Sequence, residues 1–129
     1  MSADTLLISK NNELLALHRA LLEARFCDVP NDPDVSASPI LASIHARVIE
    51  TLIQTASPEK ATSWKHWLAI SQSRREWRVA VQRAADHSRW GRFTLAEKLE
   101  MARTLLTPFD IAESDLVGFV GEADAACGK

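Results

Sequence analysis

Apolar residues recur at intervals of three and four along most of the chain, and that spacing predicts helices. Leu7, Leu14, His18 and Leu21, widened by Leu17 and Leu22, form such a stripe between about Thr5 and Arg25. Leu41, Ile44, His45, Val48 and Leu52 form a second stripe. A third, running from Pro58 to about His87, reads Trp67, Ile70, Arg74, Trp77, Val81 and Ala84. Leu95, Leu99, Ala102 and Leu106 make a fourth, and Leu116, Val120, Ala123 and Cys127, with Phe119 beside them, a fifth. No alternating strand pattern persists for more than a few residues.

Start and stop signals fall where these stripes begin and end. Ser38-Pro39 and Ser57-Pro58 each place a capping hydroxyl before a proline suited to the first helical turn. Thr94 and Glu97 have the spacing of a capping box. Between the first two helices lies FCDVPNDPDVSASP, whose prolines and aspartates predict an acidic loop over about residues 26–38. Gly91 breaks the chain after the third helix, and Thr107-Pro108 stops the fourth. The tail, residues 125–129, reads as frayed. The pattern predicts an all-α protein, an antiparallel bundle of four to five helices in a single domain of residues 1–129.

Composition agrees. At 129 residues, with 47% apolar and 25% charged side chains, the chain suits one globular domain. No apolar run reaches the ~20 residues of a membrane span. The N-terminus lacks a basic region leading into a continuous apolar core, so neither a signal peptide nor a membrane association is expected, and a cytoplasmic location is. Cys27 and Cys127 stand far apart and read as two reduced thiols.

Charge changes the picture more. Residues 1–59 carry four basic and eight acidic side chains, residues 60–92 eight and two, and residues 93–129 three and seven. The nets of −4, +6 and −4 make up the −2 of the chain. The basic middle coincides with the third helix. On a continuous helix, Trp64, Leu68, Arg75, Arg78 and Gln82 share a side distinct from the apolar seam. Arginines near a tryptophan suit an acidic protein surface or a nucleic-acid backbone. Internal neutralisation by the acidic loop and last helix competes with both. Arg74, inside the seam, must reach the edge or meet a carboxylate, with Glu50 one candidate.

Catalytic chemistry finds no foothold. There is no Gly-x-Ser-x-Gly elbow, and no glycine precedes Gly91 to build a phosphate loop. The acidic loop lacks the glycine and glutamate of an EF-hand. His18 and His45 lie in stripes of neighbouring helices and would suit a metal or haem if they met, but no Glu-x-x-His accompanies them. Satisfied core histidines are the simpler reading, and no cofactor is expected. The last two helices resemble a helix-turn-helix in outline only, since the second carries acids that DNA would repel.

The expected function is therefore that of a non-enzymatic protein–protein interaction or regulatory protein. Its partner is an acidic protein or a second copy of itself, met through Trp64, Leu68, Arg75, Arg78 and Gln82. Nucleic-acid binding on the same face is the alternative, ranked lower because the sequence pI is ≈ 6.1. A helical bundle with a histidine-based metal or haem site ranks third.

Overall fold

The computed structural model describes residues 6–29, 32–72 and 74–128. Among them the chain is all-helical, with seven α-helices and no named strand. These are α1 (Asn11–Phe26), α2 (Pro33–Ser36), α3 (Pro39–Gln54), α4 (Pro58–Leu68), α5 (Arg75–Asp86), α6 (Leu95–Leu106) and α7 (Glu113–Cys127). A 3₁₀ turn at Trp90–Arg92 precedes α6. The count exceeds the expected four to five for two reasons. The acidic loop carries one helical turn, α2, and the long third helix is two helices, α4 and α5.

The capping signals act as their spacing requires. The Ser38 hydroxyl accepts from the Leu41 N–H at 3.1 Å, and Ser57 does the same for Lys60 at 3.3 Å. The Thr94–Glu97 capping box is complete, each side chain accepting from the other residue's backbone N–H.

The break after α4 has no proline or glycine behind it. It is held by where two orphan carbonyls go. The last carbonyls of a helix lack intrahelical partners. Here Leu68 O accepts from Asp110 N at 2.9 Å, and Trp67 O accepts from the Arg74 guanidinium at 2.5 Å. Arg74 therefore folds back over α4. Its guanidinium lies 4.8 Å from the Trp67 ring centroid and 4.7 Å from that of Phe109, and pairs with Glu76 at 2.9 Å. Its carboxylate partner is its near neighbour Glu76, not Glu50, which is exposed on α3.

Two apolar clusters result. One joins α5, α6 and α7 through Trp77, Trp90, Leu106, Leu116 and Phe119. The other joins α1, α3 and α4 through Leu14, Leu21, Val48, Ile49, Leu52 and Leu68. Phe26, Val79 and Phe109 form a small third cluster, and the half-buried Trp67 packs on both it and the second. α7 is pinned by indole donors: Trp77 Nε1 donates to Glu122 at 3.0 Å and Trp90 Nε1 to Asp124 at 2.9 Å.

Three ends of the expected stripes differ. Leu7 is 83% exposed because α1 starts only at Asn11; Thr5 lies outside the described residues. Leu95 is 59% exposed, and the α6 core is carried by Ala102, Leu105 and Leu106. Helical hydrogen bonding continues through residues expected to fray, to Cys127, where Gly128 N donates to Asp124 O at 3.1 Å; Cys127 itself is exposed. No helix among the described residues is long and apolar enough to cross a membrane.

Candidate functional site

Division of the third helix separates the five residues expected to share a face. Leu68 is only 6% exposed and belongs to the α1–α3–α4 core. It is corrected from contact residue to core residue, because as the last residue of α4 it packs inward where the chain turns away. Trp64 is half-buried, its ring edge-on to His18 and Trp67 at centroid distances of 5.3 and 5.7 Å. Arg75, Arg78 and Gln82 remain together and exposed on α5. With Arg83 they line a shallow recess of about 220 Å³.

The recess is not uniformly basic. Arg75 pairs with Asp28 of the acidic loop at 3.3 Å, both side chains largely exposed. Gln82 donates its amide to Asp86 at 2.7 Å. Arg83 reaches inward, its Nη2 donating to Cys27 O and lying 3.6 Å from Cys27 Sγ. Arg78 has no carboxylate partner among the described residues. Three of the four carboxylates of the last helix are used elsewhere. Asp124 pairs with Lys98 at 2.8 Å and Glu113 with Arg103 at 2.7 Å, while Glu122 holds Trp77. Internal neutralisation thus reaches Arg75 through a solvated contact and does not reach Arg78.

Beside the recess opens a cleft of about 800 Å³ between α5, α6 and the start of α3. Its acidic rim includes Asp34 and Asp86, and Asp28 and Arg83 line both depressions. Surfaces of opposite sign therefore adjoin across one edge.

His18 and His45 do meet. His18 Nδ1 lies 2.9 Å from His45 Nε2, and Arg25 Nη1 lies 3.0 Å from His45 Nδ1. The same guanidinium donates to Thr107 O at 2.5 Å and Thr104 O at 3.0 Å, at the end of α6. Arginine only donates, so His45 Nδ1 accepts, His45 Nε2 carries the proton, and His18 Nδ1 accepts in turn. Burial first, then the charge of Arg25 and the neighbouring His18, depresses the His45 pKa from 6.5 to about 3. His18 is lowered by burial and by Arg19, and Arg25 is lowered to about 10 by burial. The facing nitrogens are spent on each other and a cation closes the far side. Among the described residues no group of three or more His, Cys, Asp or Glu could hold a metal ion. These histidines link α1 to α3, and Arg25 extends the network to the end of α6.

Arg25, Arg83 and Asp86 are the members that inspection of the sequence misses; Asp28 belongs to the acidic loop already expected to compete for the basic helix. A signal existed for Arg25, since the spacing Leu14, His18, Leu21 continues to it. None existed for Arg83, whose contact with Cys27 spans 56 positions. No family model, curated protein or solved structure matches the chain.

Proposed function

We propose that this chain is a non-enzymatic interaction protein that receives an acidic protein surface on the outer side of α5, through Arg75, Arg78 and Gln82. The observation that carries the reading is Arg78, exposed on a regular helix and lacking a carboxylate partner among the described residues. A guanidinium in that state is ready for bidentate pairing with a carboxylate, at no cost in broken internal bonds. Arg75 adds a second donor set, since its solvated contact with Asp28 contributes little and exchanges readily. Leu68 is buried in the α1–α3–α4 core, and the half-buried Trp64 lines a different recess on α4.

The test compares wild type with Arg75→Glu/Arg78→Glu as bait in native lysate, followed by identification of what is retained. An acidic protein held by wild type and lost by the double reversal is the expected result. Micromolar binding of generic duplex DNA or RNA near physiological salt, lost on the same reversal, would instead assign the face to nucleic acid. Identical retention by both proteins would remove α5 from the function.

A further inference from the structure

Four exposed side chains, Arg75, Arg78, Gln82 and Asp86, fall within about 80° of arc on α5 at 100° per residue. Their signs are ordered along the helix. The two arginines lie in its first turn and the aspartate is its last residue. That order opposes the helix macrodipole, which favours acids at the N-terminus and bases at the C-terminus. Another side of the same helix obeys the rule, with Glu76 in the first turn and Arg83 in the last. The inversion belongs to the outer face alone.

Gln82 is midway between Arg78 and Asp86, four residues from each. Those two charges are about 12 Å apart along the axis at 1.5 Å per residue, too far to pair within one helix. A second α5 running the opposite way about a two-fold axis at Gln82 places Arg78 of each helix against Asp86 of the other. The basic recess and the neighbouring acidic rim share an edge at Asp28 and Arg83. A patch with plus and minus halves meeting at an edge is complementary to its own two-fold copy. The Gln82 amide already holds one oxygen of Asp86 at 2.7 Å.

We propose that the acidic surface received by α5 is the α5 of a second copy of this chain, packed antiparallel with Arg78 of each copy against Asp86 of the other. The inference rests on the reading of α5 as an interface and specifies its occupant. The contact is polar, so the dimer is weak, fast to exchange and loosened by salt.

Sedimentation velocity on the full chain at low ionic strength tests it, with far-UV circular dichroism confirming that each variant is folded. Wild type sediments as a monomer–dimer equilibrium that shifts to monomer as salt is added. Arg78→Asp alone and Asp86→Arg alone each oppose like charges across the axis, raising the dimer Kd by roughly 10-fold or more. The combined Arg78→Asp/Asp86→Arg chain restores opposite charges in both contacts and returns the Kd to within about 3-fold of wild type. Because the two positions cannot pair within one helix, that rescue arises only between copies. A wild type that stays monomeric at millimolar concentration overturns the proposal, as does a combined variant no better than the single ones. Should the wild type be monomeric while Arg75→Glu/Arg78→Glu still abolishes capture of another acidic protein, α5 remains an interface and only this occupant is wrong. Should both experiments fail, the interface reading falls with it.

Discussion

Arg25 can only donate, and that one-sidedness sets the protonation of both buried histidines. Adding a proton to His45 at Nδ1 would point N–H at N–H across 3.0 Å, in a site with no exposed surface. Its folded pKa, about 3, therefore lies below the value near 6.5 of the unfolded chain. The unfolded state takes the proton first, so the stabilisation is intact above pH 6.5 and drains away as pH falls toward 3. At about 1.4 kcal/mol per unit, His45 alone removes about 2 kcal/mol between pH 6.5 and 5. Urea midpoints at these two pH values measure it, and His45→Gln should flatten the dependence; an unchanged slope would contradict the neutral assignment. Arg25→Met acts on the same network at neutral pH. It leaves His45 Nδ1 and the carbonyls of Thr104 and Thr107 without their donor, a loss of about 2–3 kcal/mol. It also relieves the part of the His45 depression that Arg25 adds to that of burial, so its pH dependence should be somewhat shallower than wild type.

The elements divide into those announced locally and those decided at a distance. Thr94→Ala should cost about 1 kcal/mol, read as a lower thermal midpoint, because it deletes one half of a complete capping box. That box, the two Ser-Pro starts and the apolar stripes of α1, α3, α6 and α7 are all legible in the sequence, because every partner lies within a turn or two. The α4–α5 break is not. Residues 69–74 contain neither proline nor glycine, and the forces that part the helix come from Asp110 and from a guanidinium stacked on Phe109. The same blindness assigned Leu68 to a surface, since one unbroken helix carries it round to the side of Arg75. Of the candidate site, Arg75, Arg78 and Gln82 were readable because α5 is regular over its 12 residues. The acidic loop was legible as a competitor for them, but which arginine Asp28 would meet, from 47 positions away, was not. Arg74→Ala is the corresponding check. It removes the Glu76 pair, the two ring contacts and the Trp67 carbonyl's donor, and should lower stability by about 1–3 kcal/mol. A negligible loss would mean that Asp110 N on Leu68 O suffices to hold the break.

Across the whole molecule, the tryptophans report on two cores joined by a narrow bridge. Trp77 and Trp90 are enclosed in the α5–α6–α7 cluster, whereas Trp64 and Trp67 pack on the α1–α3–α4 cluster. Between them stand Phe26, Val79 and Phe109, with Phe109 edge-on to Phe26 at 5.7 Å and tilted against Trp67 at 4.8 Å. Arg74 closes the same junction from above, and Arg25 reaches across it from α1 to the end of α6. Coupling between the clusters thus runs through a handful of side chains, among which Phe109 meets Phe26, Trp67 and the Arg74 guanidinium. In the wild type these ties should make unfolding cooperative, so that tryptophan fluorescence and far-UV circular dichroism trace one urea transition. Phe109→Ala removes an aromatic ring at the bridge, for which about 3–5 kcal/mol is typical of buried sites. Its more specific consequence is a transition in two steps, since the α5–α6–α7 cluster, with its two indoles tied to α7 carboxylates, should persist to higher urea than the α1–α3–α4 cluster. A single-step transition in Phe109→Ala, merely shifted to lower urea, would show that the two clusters are one cooperative core and that the bridge carries no special share of the coupling.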